Sequence, residues 1–464
     1  MNRKVVITGV GAVTPYGVGS SALWSGLVEG RPTLAPTTRL DATGFPCKLS
    51  GEVKDFSARD YVPKHYRKAV KVMARDIEMA VAAAKVAVED AGLTTRMTLA
   101  EGQVGGTTYP SERVGCQIGA GLIAAETDEL TAALVTARAA GATLEEPGAG
   151  FRLRMWGTAA APDGTQGAGG MNNLTPLWLL KYLPNMLACH VTIIHGCEGP
   201  SNTITCNEAS GLLSLGESTR VIERDAADLC FSGGAESKVN CMGLLRLTYA
   251  GRLAETGAAT DGGTLVRPYD PGSPGTIPGE GAGILLLEEA NAAAARGAKA
   301  YAQIAGFGAA HSDPAHCYSD GSRDIAPGPD EGLQGAIENA LSDAGVSAGE
   351  IDAIVPHASG IPAMDAGEAG ALRGVFGARL ASIPLVTVAP FIGESSAGNG
   401  AVLAAVGALC VRHQMIPARL HAGNCPRDLR AHAAPATHAV LRHVLVCSSS
   451  FGGQNAAIVL RQVS

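Results

Sequence analysis

The chain has 464 residues, of which 46% are hydrophobic and 17% charged, so it can bury a large core and hold two domains or one duplicated unit. Its net charge is −7 and it has no strong cluster of Lys and Arg, which argues against nucleic acid and favours small or acidic partners. No apolar run reaches the roughly 18 residues needed to cross a bilayer, and the apolar start breaks at Gly9, so neither membrane insertion nor export is expected.

The predicted elements alternate along the chain. Short β-branched runs near glycine predict strands, and alanine-rich stretches with helical periodicity lie between them. The predicted strands begin at Val5, Leu229, Ile351 and Val444, and the predicted helices cover Ile77 to Ala91, Ala209 to Arg224 and Leu333 to Ala344. The mixed basic and apolar stretch from Lys64 to Arg75 predicts a surface helix. This alternation indicates a layered α/β fold.

An internal repeat divides the chain. The run Ile7–Ala12 is similar to Ile304–Ala309, and the helix end Ala87–Leu93 is similar to Ala340–Val346, in the same order. We therefore predict a duplication with halves at 1–255 and 256–464. The stretch 145–173, rich in Gly, Ala and Pro, is predicted to be a loop or cap in the first half.

Cys206 stands where a short apolar and threonine-rich stretch turns into an amphipathic segment running to about Arg224. If that segment is a helix, its free N–H groups and dipole favour a thiolate, which predicts a nucleophile. A buried packing residue is the alternative, since free cysteines are often buried. Glu208 is interpreted as a helix-start acid facing solvent or a dimer contact; if it faced the sulfur, it would make the thiol less acidic.

The eleven cysteines show no C-x-x-C pair and no Cys/His cluster. This spacing argues against a disulfide framework and against structural zinc. A reducing cytoplasm is the expected location.

Seven separated motifs carry a resemblance to a known family. They are 4–11, the cysteine turn, 231–236, 267–270, 279–283, His357 and 450–455. In this order they resemble the β-ketoacyl-acyl-carrier-protein synthases over almost the whole chain. The resemblance implies a thiolase-like α/β fold with duplicated halves, each a five-stranded mixed sheet in α-β-α-β-α layers, usually in a dimer.

The same resemblance implies roles for individual residues. Cys206 resembles the nucleophile that accepts an acyl chain, and His357 the first catalytic histidine. Phe451, followed by Gly452, resembles the gating phenylalanine, whose backbone N–H forms an oxyanion hole with that of Cys206. The residues expected to support the site are Ser359, Asp365 and Glu368.

The resemblance fails at the second catalytic histidine. Glu394 stands at that position, and Ala389 stands where the family has a lysine, so Glu368 has lost its expected partner. An ionised Glu394 would repel a malonyl carboxylate. Three outcomes follow: Glu394 is protonated by burial and donates a hydrogen bond, it acts as a base on a substrate without a carboxylate, or the site no longer condenses.

Three functions are consistent with these residues. The first is an acyltransferase of fatty-acid or polyketide biosynthesis that loads Cys206 and forms a carbon–carbon bond by Claisen condensation. The second transfers the acyl chain to an amine, an alcohol or a non-carboxylated thioester, and the third is a non-catalytic partner resembling a chain-length factor. The expected partners are an acyl carrier protein, whose phosphopantetheine delivers the substrate, and a second chain in a homodimer or a ketosynthase heterodimer. No metal and no organic cofactor is expected.

Overall fold

A computed structural model describes residues 3–99, 103, 106–135, 156, 174, 177–312 and 328–463. The strands are β1 Val5–Thr14, β2 Gly17–Val18, β3 Ala35–Pro36, β4 Leu49–Ser50, β5 Val114–Ala120, β6 Ser201–Ile204, β7 Leu229–Ser237, β8 Glu280–Glu289, β9 Ala302–His311, β10 Ala353–Val355, β11 Met415–Ile416, β12 Thr437–His438, β13 His443–Ser449 and β14 Gln454–Arg461. The α-helices are α1 Ser20–Val28, α2 Arg75–Ala91, α3 Thr127–Val135, α4 Met186–His195, α5 Ser210–Glu223, α6 Cys241–Tyr249, α7 Ala290–Ala295, α8 Glu331–Ala344, α9 Pro362–Phe376, α10 Ala389–Ile392 and α11 Asn399–His413.

Two groups of strands make up the main sheet. The first runs in the order β6-β5-β7-β8-β1 and is mixed, because β5 is parallel to β6 and β7 whereas β8 is antiparallel to both of its neighbours. The second runs β9-β14-β13-β10, and Leu385 extends it by a parallel bridge to Ile354. Antiparallel pairing of β1 with β9 joins the two groups.

Helices cover both faces of each group. Helices α5 and α11 pack on each other and lie in the middle layer, where α11 contacts β8 and β13 and α5 contacts β7 and β14. Helix α2 covers β1 and β8 on one outer side, and α8 covers β9 and β14 on the other. Residues 399–411 of α11 are all buried, as expected for a helix between two layers of strands. The layers follow the predicted α-β-α-β-α order.

The repeated glycines explain the duplication. A Cβ on Gly11 would overlap the carbonyl oxygen of Ala83 in α2, and a Cβ on Gly308 would overlap that of Ala336 in α8. Each strand can therefore approach its helix this closely only because it carries glycine. The predicted duplicated α/β fold is confirmed, and its repeat marks equivalent strand–helix contacts.

Most predicted elements are confirmed, and one is wrong. The stretch from Lys64 to Arg75 is not one helix: it forms short 3₁₀ turns at Lys64–Tyr66 and Ala69–Val72 before α2 begins. The predicted loop or cap at 145–173 lies outside the described residues, apart from Trp156. The division into halves at residue 255 stays a prediction. Among the helices that the structure describes, none is both long and apolar enough to span a membrane.

Candidate functional site

Cys206 lies between the end of β6 and a single 3₁₀ turn, Asn207–Ala209, that leads into α5. Its backbone N–H donates to the Ser210 hydroxyl over 2.8 Å, and Asn207 is held at a left-handed φ of 45°. The thiol is half-buried, and this burial raises its pKa. The position at a helix start is as predicted, but burial opposes the thiolate that this position was expected to favour, because desolvation disfavours the charged form.

Glu208 does not face solvent. Its side chain is 4% exposed, and Oε1 pairs with Arg252 Nη2 over 2.7 Å. Its Oε2 accepts the backbone N–H of Phe451 over 3.1 Å. Burial raises the pKa of Glu208, but the charges of Arg252 and His357 outweigh it and lower the pKa below its usual range. The interpretation of Glu208 as a solvent-facing acid is therefore wrong, and the residue is a buried carboxylate.

His357 follows β10 and is held on both sides of its ring. Nδ1 accepts the Ser449 backbone N–H over 3.1 Å, so the ring proton lies on Nε2, 2.9 Å from Glu394 Oε2. Burial lowers the pKa of His357, but the carboxylates of Glu394, Glu368 and Glu208 raise it more, to about 9. A second proton would have to displace the Ser449 N–H from Nδ1. A pKa of about 9 corresponds to an imidazolium at neutral pH, whereas the Ser449 contact fits the neutral ring; in both forms Nε2 carries a proton directed at Glu394.

Glu394 is fixed by its own backbone. Its N–H donates to Ile277 and its carbonyl accepts from Gly279, over 2.9 and 2.8 Å. Of its carboxylate oxygens, Oε1 accepts the N–H of Ser396 over 3.1 Å and Oε2 faces His357. Both oxygens therefore act as acceptors, which is the pattern of an ionised carboxylate.

The residues expected to support the site form one buried cluster behind His357. Glu368 accepts the N–H groups of His357 and Ala358, each over 2.8 Å, and the Tyr269 hydroxyl over 3.0 Å. These donors stand in place of the lysine that the resemblance would supply. Ser359 donates to Asp365 over 2.9 Å. Burial raises the pKa of the Glu368 carboxyl and raises that of Asp365 to about 7.

Phe451 and Gly452 lie in the tight turn between β13 and β14. Gly453 donates to the Ser450 carbonyl over 2.9 Å, which closes the turn. The guanidinium carbon of Arg252 lies 5.2 Å from the centroid of the half-buried Phe451 ring, within cation–π range. A cavity lies against His357, and its lining includes Ser312, Ser359, Ser449, Ser450 and Gly453.

Glu208 joins the predicted site residues. It is two residues from Cys206 and accepts the backbone N–H of Phe451. It also lies close enough to His357 for its charge to raise the pKa of that histidine. Sequence reasoning missed two partners, Arg252 and the Ser449 N–H. A lone arginine in an irregular stretch gives no signal, and a backbone donor gives none at all. In the described part of the chain, no three His, Cys, Asp or Glu side chains could together hold a metal ion.

Comparisons with known proteins point to one family. The family model of the β-ketoacyl synthase N-terminal domain matches residues 2–293, and that of the C-terminal domain matches residues 301–423. A 3-oxoacyl-[acyl-carrier-protein] synthase 2 from Staphylococcus aureus is 27% identical, over 99% of each chain. An actinorhodin polyketide β-ketoacyl synthase 2 from Streptomyces coelicolor is 30% identical, over 99% of this chain and 98% of that protein.

Solved structures show the same fold. The ishigamide ketosynthase/chain length factor aligns with a TM-score of 0.78 and 28% identity, covering all of both chains. A ketosynthase solved with its type II polyketide acyl-carrier protein aligns with a TM-score of 0.79 and 22% identity, also over both full lengths. These neighbours agree with the thiolase-like fold that the motifs imply.

Proposed function

Because the chain belongs to the β-ketoacyl synthase family, we propose that it loads an acyl chain from a carrier protein onto Cys206 and extends that chain by Claisen condensation. The site would use Cys206 as the nucleophile and His357 with Glu394 in place of two histidines. One observation carries the proposal. Glu208, two residues after Cys206, accepts the N–H of Phe451 and lies close enough to His357 for its charge to raise the pKa of that histidine. These contacts of Glu208 support a single site to which the cysteine turn, His357 and the Phe451 turn contribute.

The condensation step requires His357 to act as a hydrogen-bond donor. Decarboxylation of a malonyl thioester breaks the bond to its carboxylate, and the electron pair attacks the acyl carbon on Cys206, whose sulfur leaves as a thiolate. The thioester oxygen of the malonyl unit gains charge in this step and needs a hydrogen-bond donor. The Nε2 proton of His357 is the donor, provided that it leaves or shares its contact with Glu394.

A second function, that of a chain-length-factor-like partner, is favoured by a different observation. The N–H of Phe451 and the Nε2 proton of His357 are both satisfied by carboxylates of this chain. A non-catalytic partner would not need these donors to be free. The structural similarity to a ketosynthase/chain length factor fits the same function.

Acyl loading separates the two functions. After incubation with an acylated carrier protein, we expect the acyl mass on the peptide that contains Cys206, and no such mass in Cys206→Ala. An unmodified Cys206 would favour the non-catalytic partner, whose expected sign is co-purification with a second ketosynthase-like chain.

Adding malonyl-carrier protein to the loaded chain tests the next step. Condensation releases carbon dioxide, whereas transfer to an amine, an alcohol or a non-carboxylated thioester does not.

A further inference from the structure

The Glu208 carboxylate bridges a buried cation and a backbone donor. Its Oε1 lies 2.7 Å from Arg252 Nη2, and its Oε2 lies 3.1 Å from the Phe451 nitrogen. The side chains of Glu208 and Arg252 are each 4% exposed, so this carboxylate does not exchange freely with water. Arg252 also stacks on the Phe451 ring, so Glu208, Arg252 and Phe451 contact one another in one group.

The second backbone donor beside the sulfur is also occupied. The N–H of Cys206 donates to the Ser210 hydroxyl over 2.8 Å. Acyl transfer to Cys206 passes through a tetrahedral intermediate, whose oxyanion needs free donors next to the sulfur. In the state described by the structure, both donors already have acceptors within the chain, and one of those acceptors is a carboxylate.

We propose that Glu208 is a built-in inhibitor of acyl loading: its carboxylate occupies the place of the oxyanion and must move before Cys206 can be acylated. This inference rests on the proposed function, because it assigns the Phe451 N–H to the oxyanion of that reaction. Losing one such donor costs about 10²–10³ in rate. A fixed like charge in the same place adds to the loss.

Arg252 provides a way for Glu208 to move. Among the nitrogens of its guanidinium, only Nη2 makes a hydrogen bond; Nε and Nη1 are buried and have no hydrogen-bond partner within the described part of the chain. A guanidinium can hold a carboxylate by two parallel hydrogen bonds. A rotation of Glu208 that brings its second oxygen onto Arg252 would free the Phe451 N–H without breaking the ion pair. Glu208 and Arg252 thus form a latch with a closed and an open arrangement.

The test compares two reactions at the same sulfur. Acylation by hexanoyl-N-acetylcysteamine passes through an oxyanion, whereas alkylation by iodoacetamide does not. In Glu208→Gln we expect the acylation rate of Cys206 to rise at least about tenfold, because the like charge is gone from the oxyanion position. The alkylation rate should stay within about twofold, because only the acylation transition state develops negative charge at that position. Glu52→Gln is the matched control: Glu52 is another buried carboxylate that accepts backbone N–H groups, and this change should alter neither rate.

Glu208→Gln leaves Arg252 unpaired, so the variant Glu208→Gln/Arg252→Met removes both charges and guards against a folding defect. It should show the same rise in acylation. Wild-type acylation at an equal or higher rate than in both variants would overturn the latch while leaving the proposed function standing. A parallel rise in alkylation would assign the effect to thiol acidity and also overturn the latch. If no form is acylated although iodoacetamide still reaches Cys206, both the latch and the proposed loading reaction fail.

Discussion

Cys206 is subject to two opposing effects, the positive end of a helix and partial burial. The helix end favours the thiolate, but a single 3₁₀ turn separates the sulfur from α5, and the field of a helix falls off within its first turn. Desolvation is the larger effect and raises the pKa of the thiol. At neutral pH the side chain is therefore mainly a thiol that must lose its proton during loading.

This direction gives a pH-dependent expectation. Because only the thiolate reacts, the alkylation rate of Cys206 falls as pH drops below its pKa and levels off above it. The midpoint should lie above that of a free cysteine peptide, about 8.5. Iodoacetamide labelling at a series of pH values, read on the Cys206 peptide by mass spectrometry, measures it. A midpoint below that of the free peptide would show that the helix end prevails.

The charge of Glu394 is expected to slow the decarboxylation of a malonyl substrate. A malonyl carboxylate about 4 Å from an ionised Glu394 meets a repulsion of about 4 kcal/mol at an effective dielectric near 20. In Glu394→His, decarboxylation of malonyl-carrier protein should therefore rise, by up to roughly a thousandfold if all of the repulsion falls on the transition state.

Glu394→Gln serves as the neutral control, because it removes the charge without adding an imidazole. It should give a smaller increase. Carbon dioxide release measures both variants. An unchanged or lower rate in Glu394→His would mean that repulsion by Glu394 does not limit decarboxylation.

Local rules failed at Glu208 for an identifiable reason. An acid in the first turn of a helix usually faces solvent, and nothing within a few residues contradicts that rule here. Its partner Arg252 lies 44 residues further along the chain. The ion pair follows from tertiary packing, so neither periodicity nor capping rules could predict it.

At the scale of elements, close strand–helix packing makes specific glycines indispensable. Gly9 and Gly11 lie under α2, and Gly306 and Gly308 lie under α8, each with helix backbone where a Cβ would be. The short Ile-x-Gly-x-Gly-Ala motif therefore predicted the duplication well, since the packing itself requires it. The place of β8 between β1 and β7 could not be predicted, because long-range antiparallel pairing leaves no mark on local periodicity.

Gly11→Ala should destabilise the chain strongly. Its new Cβ would overlap the carbonyl oxygen of Ala83, and because the atoms that it meets are helix backbone, there is little room to relax. We expect a loss of about 3 kcal/mol in the free energy of unfolding, measured from urea denaturation midpoints. The control is Gly44→Ala, where a Cβ would meet nothing within 4 Å and the change should stay within about 0.5 kcal/mol. Equal midpoints for the two variants would contradict the close packing of β1 on α2.

At the scale of the whole molecule, residues far apart in sequence form one site. The cysteine turn and Arg252 come from the N-terminal part of the chain, whereas His357, Glu394 and the Phe451 turn come from its C-terminal part. Apart from Arg252, these residues were singled out from the sequence, and helix α5, which follows the cysteine turn, lies in the middle layer and contacts strands of both groups. The protonation states could not be predicted, because they depend on burial and on charges contributed by several elements.

The central claim is that this altered site still forms a carbon–carbon bond. The most direct test incubates the wild-type chain with an acylated carrier protein and malonyl-carrier protein and determines the intact mass of the carrier product. We predict a β-ketoacyl-carrier protein whose chain is two carbons longer, formed in step with carbon dioxide and absent with Cys206→Ala. Loading of Cys206 without any extended product would contradict the claim.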